Sequence, residues 1–181
     1  MLYPLKFSPI LKETIWGGEK LACKSEDPTI KSGIGESWEI SGVQDNVSVV
    51  SEGPLADNTL QELTEVYMGD LVGDKIYEQF GVEFPLLIKY IDACDDLSIQ
   101  VHPNDAVAKE RHNAYGKTEM WYVVDADPDA QLLMGFNKDT DKSEYLTKLH
   151  NNTLPEILNT EKVKKGDCFF IPAGTVHAIG K

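Results

Sequence analysis

Arginine is almost missing from this chain: of its 17 basic residues only Arg111 carries a guanidinium. A phosphorylated ligand would have to be met by lysines, backbone N–H groups or that single side chain. Positive charge is scarce altogether, with 30 acidic residues and a net charge of -13, so the field of the molecule repels nucleic acid and acidic membrane surfaces. Neither is expected as a partner. Cys23, Cys94 and Cys168 are the three cysteines and form no C-x-x-C pair, which argues against a disulfide framework and against a structural zinc knuckle. They read as reduced core thiols. Long apolar runs are lacking too. The opening MLYPLKFSPILKETI is broken by Pro4, Lys6, Pro9 and Lys12, and nothing approaches the ~20 apolar residues of a membrane span or the apolar core of a secretory leader. A cytoplasmic location is the expectation.

What is present fits one globular domain over residues 1–181, with 41% hydrophobic and 26% charged residues. No repeat, low-complexity tract or linker interrupts it. Strand-like runs cover 36–43, 46–53, 85–93, 97–103, 118–125, 130–136 and 167–174. They are short and separated by Gly, Pro, Asp or Asn, as in an antiparallel sandwich or barrel. Helical signals are fewer. In 59–73, Leu60, Leu63, Tyr67 and Leu71 share one face behind a Thr59-x-x-Glu62 capping box. Residues 142–152 form a second candidate, and Thr153-x-x-Glu156 a cap for a third. The fold class expected is all-β, with helical insertions near 59–80 and 139–158.

Chemistry begins at LSIQVHP (97–103). Side chains alternate across a strand, so Gln100 and His102 share one face while Ile99 and Val101 share the other. In TEMWYVV, Glu119, Trp121 and Val123 share a face, which brings a carboxylate into the same interior if the strands pair. GDCFFIPAGTVH (166–177) adds a histidine, His177, that a buried strand and a Pro-Ala-Gly turn do not explain. Two imidazoles, a carboxylate and an amide oxygen make a mixed N/O set with room for water, suited to a catalytic Zn²⁺ or a related divalent ion. Each residue alone has a plainer reading: a hydrogen-bonded core or edge histidine for His102 or His177, a solvated face for Glu119, no signal for Gln100. Joint placement on separate strands favours the metal. His112 and His150 sit in polar contexts and read as surface residues.

GDCFFIPAGTVH matches G-x5-P-x-G-x2-H, the second signature of the cupin barrel superfamily, with Lys181 where an Asn is usual. The first cupin signature is degenerate, with QVH in place of HxH. In that departure the chain resembles the type I phosphomannose isomerases, through LSIQVHP, GKTE (116–119) and PAGTVHAIG (172–180), together with IWGG (15–18), GESWEIS (35–41) and FPLLIKYIDA (84–93). The resemblance implies a jelly-roll barrel and interconversion of mannose 6-phosphate and fructose 6-phosphate. It implies one zinc ion per chain held by His102, Glu119 and His177, with Gln100 as a weaker fourth ligand. It also puts Lys117 toward substrate, Ser98 against substrate oxygen or phosphate, and Trp16 at the mouth of the site. Alternation supports the lysine, since Lys117 and Glu119 share a face and Thr118 points away; its plainer reading is a solvated strand-end lysine.

Such isomerases continue past HAIG with a further strand whose arginine serves the active site, and this sequence has no matching residue. The expectation is a shortened form with an open sheet edge, through which two copies could pair. A non-catalytic metallocupin that binds a sugar or sugar phosphate is the alternative function. An iron-dependent oxygenase is disfavoured because Gln100 replaces a histidine.

Overall fold

The structure, a computed structural model, describes residues 2–180, so Lys181 of the signature lies outside it. The chain forms two compact units that divide between Asp92 and Ala93.

In the first unit, β1 (Ile10–Gly18), β2 (Ile34–Ser41) and β3 (Leu87–Ile91) make one antiparallel sheet in that order. The glycines of IWGG and GESWEIS have a packing reason. A Cβ on Gly17 would stand 2.6 Å from the backbone of Gly33, and one on Gly35 2.0 Å from Thr14 Oγ1 and 2.5 Å from the Trp16 ring. Only a residue without a side chain lets β1 and β2 approach this closely. The expected helix over 59–73 is two helices, α1 (Leu60–Tyr67) and α2 (Gly69–Val72), because Met68 takes φ 47° and breaks the turn between them. Its capping box forms as read, and Leu60 and Leu63 are buried. A further helix, α3 (Asp74–Phe80), follows. Residues 46–53 are not a strand: Val49 and Val50 make only isolated bridges to Thr59 and Phe7.

In the second unit, β4 (Gln100–Val101), β5 (Glu119–Tyr122), β6 (Gln131–Phe136), β7 (Leu158–Lys162), β8 (Cys168–Ile171) and β9 (Val176–Ile179) form two antiparallel sheets, ordered β4-β9-β6-β7 and β5-β8. Between strands lie α4 (Asp105–His112) and α5 (Lys142–His150). Thr153 does not cap a helix through its side chain; a 3₁₀ turn with Pro155 in its first turn runs Leu154–Ile157 instead. Leu154, Ile157 and Leu158 form a buried cluster against which Ile99, Leu133, Tyr145 and Val176 pack. One face of the larger sheet is thus consumed by core, and the period of two directs His177 to the other.

All three cysteines are exposed rather than buried. For Cys168 the cause is alternation: Ile171 is buried, so Cys168 and Phe170 point outward, Phe170 being 67% exposed. His112 and His150 are exposed, as read.

Candidate metal centre

Three motifs distant in sequence are stitched together by short hydrogen bonds. Pro172-Ala173-Gly174-Thr175 is a tight turn in which the Thr175 N–H donates to the Pro172 carbonyl (3.1 Å) and Gly174 takes φ +89°. This is the third position of a type II turn, which favours glycine. The Gly174 N–H then donates to the His102 carbonyl (2.8 Å), and the Ala173 N–H donates to Thr118 Oγ1 (3.3 Å). PAGT therefore touches both LSIQVHP and GKTE. On the far side of the turn, β9 pairs with β4 so that His177 stands opposite Gln100, and with β6 so that His177 stands opposite Met134.

These contacts gather His102, Glu119 and His177 so that one potential ligand atom from each lies within 4.8 Å of the others. Glu119 Oε2 is 3.3 Å from His177 Nε2 and 3.5 Å from His102 Nε2. Two nitrogen or oxygen ligands, each about 2.0–2.1 Å from a tetrahedral zinc, stand roughly 3.3 Å apart, so the spacing suits such an ion. Glu119 Oε2 and His177 Nε2 are buried and make no hydrogen bond despite their closeness, an arrangement costly to leave without a third body between them. Donor chemistry agrees, because imidazole nitrogen and carboxylate oxygen suit zinc and related divalent ions. His177, 1% exposed, has its other nitrogen settled: Nδ1 lies 2.8 Å from the Thr175 carbonyl, which can only accept. Nδ1 thus carries the proton and Nε2 offers its lone pair to the site, as in many metal-binding histidines.

Trp121, sharing the face of Glu119, sets its ring edge-on to His177 at 5.4 Å between centroids. The His102 and His177 rings are 5.0 Å apart. Lys117 reaches back to its strand neighbour, with Nζ 2.9 Å from Glu119 Oε1. Among the other expected residues, Gln100 is exposed and on the same face as His177 by register, and Ser98 is exposed just before β4. Trp16 is on β1 of the other unit, half-buried.

Sequence reasoning missed the supporting residues: the Thr175 carbonyl, Trp121 as a neighbour of His177, and Asp105, which accepts from the Gly116 N–H (2.8 Å). Trp121 alone carried a signal, through its alternation with Glu119.

A His-Glu-His cluster between antiparallel sheets, with His177 buried and His102 and Glu119 half-buried, defines a β protein with a site that could hold a divalent cation. The comparisons agree: residues 4–158 match the family of the phosphomannose isomerase type I catalytic domain, and the chain belongs to that family. It is 45% identical to the mannose-6-phosphate isomerase ManA of Bacillus subtilis over 98% of this chain and 55% of that protein. It is 37% identical to the mannose-6-phosphate isomerase of Streptococcus mutans over 100% of this chain and 55% of that protein. The crystal structure of the Bacillus subtilis mannose 6-phosphate isomerase superposes with a TM-score of 0.83 at 35% identity, covering 99% of this chain and 56% of that one. The cupin-type fold is therefore shared, and the chain spans about 55% of the length of the curated relatives it matches.

Proposed function

We propose that this chain carries the metal centre of an enzyme that interconverts mannose 6-phosphate and fructose 6-phosphate. His102, Glu119 and His177 would hold one zinc ion, with Gln100 as a weaker, water-replaceable fourth ligand. The observation that carries this reading is the convergence of three potential ligand atoms within 4.8 Å of one another, with Glu119 Oε2 3.3 and 3.5 Å from the two imidazole nitrogens, in a chain of the phosphomannose isomerase family.

The exchange moves a proton between C1 and C2 of the sugar, and its hard step leaves negative charge on oxygen. When bound, the ion supplies a Lewis acid that polarises the carbonyl without redox change. Lys117 contributes an ammonium beside the ligand carboxylate, where it can meet charge developing on a sugar oxygen. The Thr175 carbonyl and the Trp121 ring hold His177 in one tautomer and orientation. Ser98, exposed before β4, is available to substrate oxygen or phosphate.

No described helix is long and apolar enough to cross a membrane. Pairing of two copies along β4 or β7, the outer strands of the four-stranded sheet, is the proposed mode of association.

The test is a coupled isomerase assay with elemental analysis on this chain and on a chain of the relatives' full length. Zinc near one equivalent, with turnover of mannose 6-phosphate in the longer form abolished by chelation, is expected. Zinc without turnover in either form would favour a sugar-binding metallocupin, the reading that the near absence of arginine suits.

A further inference from the structure

His102 lies one residue past β4, and Glu119 opens β5, yet β4 and β5 belong to different sheets. No ladder of strand hydrogen bonds between them sets the distance between these two side chains. The chain fixes it elsewhere. Beyond His102 it turns through Pro103 into α4, whose first turn is capped by Asn104 accepting from the Val107 N–H (3.0 Å). The segment leaving α4 then returns to that same turn. There the Lys117 N–H donates to the Pro103 carbonyl (3.1 Å), and the Gly116 N–H donates to Asp105 Oδ1 (2.8 Å). The fit is close: a Cβ on Gly116 would stand 2.5 Å from Asn104 C and from Asp105 N.

We infer that Asp105 is a positioning residue of the metal centre. Its carboxylate clamps the Gly116–Glu119 segment to the turn after His102 and so sets the separation of the His102 and Glu119 ligand atoms. The helix does not need Asp105 as its cap, since Asn104 fills that place. Gly116 has no side chain through which to be held, so its N–H is the handle. Because the carboxylate acts only as an acceptor, an amide oxygen in the same place should serve nearly as well. This inference rests on the ligand set proposed above.

Zinc affinity, measured by competition of zinc alone with a chromophoric chelator, is the readout. Asp105→Ala is expected to weaken binding by roughly tenfold or more, the lower end of what loss of an outer partner costs a metal site. Asp105→Asn is expected to stay within about threefold of wild type. If only the negative charge in the first turn of α4 mattered, Asn would fail like Ala, and that result overturns the hydrogen-bond assignment. Gly116→Ala leaves Asp105 in place but forces the two segments apart, so a folded variant should also lose affinity; binding equal to wild type would overturn the spacing role. It also decides the matter if Asp105→Ala does not fold. A wild-type chain that binds no zinc removes the ligand set itself, whereas tight wild-type binding with Asp105→Ala unchanged removes only the positioning role.

Discussion

Lys117 Nζ lies 2.9 Å from Glu119 Oε1, while the other oxygen of the same carboxylate faces the two histidines at 3.3 and 3.5 Å. Glu119 is thereby divided between an ammonium and the cation site. Lys117, with 41% of its side chain exposed, pairs with that carboxylate; under the proposed function its ammonium would meet charge developing on a sugar oxygen.

Lys117→Ala, assayed with zinc held saturating in a form that turns over, is expected to lower kcat/KM by about 10²–10³, the loss typical of removing one donor to a developing oxyanion. Saturating zinc matters because Glu119 loses a partner in this variant. A change below about threefold would return Lys117 to the surface residues, whose replacement usually costs within about 0.5 kcal/mol of stability and nothing in catalysis.

The ligand set predicts an unequal series. His102→Ala, Glu119→Ala and His177→Ala should each lose most bound zinc by elemental analysis, since a three-residue site keeps little grip with two. Gln100→Ala should retain most of it, because water can replace an amide oxygen at an exposed position. A full equivalent of zinc in His177→Ala would refute the assignment.

Gly174 offers a clean backbone test. It has φ +89°, and a Cβ there would meet nothing within 4 Å, so Gly174→Ala adds conformational strain without a clash. The cost expected is about 1–2 kcal/mol of unfolding free energy in a denaturant titration. Zinc affinity should fall as well, since the same residue donates to the His102 carbonyl (2.8 Å).

The capping box at α1 predicts a pH effect. The Thr59 backbone N–H, and after it the Thr59 hydroxyl, hold the exposed Glu62 carboxyl below its ordinary value of 4.5. A carboxyl depressed on folding adds stability above its unfolded value, and that contribution fades as pH falls through the folded one. Glu62→Gln keeps an acceptor but cannot titrate. Its thermal stability should therefore decline less than that of wild type as pH is lowered below about 4.5. Identical acid limbs would mean that the bonds to Thr59 do not persist in solution.

Much of the fold was legible because its cues are local. Thr59-x-x-Glu62 announced α1, alternation in residues 118–125 gave β5, and apolar runs bounded by glycine and proline gave β3, β6 and β8. Strands without such runs were missed. In β1, ILKETIWGG mixes charge with glycine, and LNTEK of β7 is mostly polar and exposed after Leu158. Partners across the sheet, rather than their own composition, keep these segments extended. Val49 and Val50 show the converse, β-formers left with only single bridges. Cys168 read as core because its neighbours are apolar, but the face it occupies was set by the register of β8 on β5, which turns Ile171 inward opposite Glu119.

By itself the sequence determined the chemical types at the site: two imidazoles, a carboxylate and a lysine, of which Glu119 and His177 lie within strands while His102 and Lys117 stand just outside β4 and β5. It also determined the sharp turn before His177, since Pro172 fixes its own φ and Gly174, without a Cβ, permits the positive φ that the turn requires. Only the tertiary structure decided that these side chains meet. The separation of His102 from Glu119 depends on hydrogen bonds between segments 11 to 72 residues apart, those of Asp105 with Gly116 and of His102 with Gly174. Such bonds form only after long loops have closed, an entropy cost met by the packing of the whole unit rather than by any local run of residues.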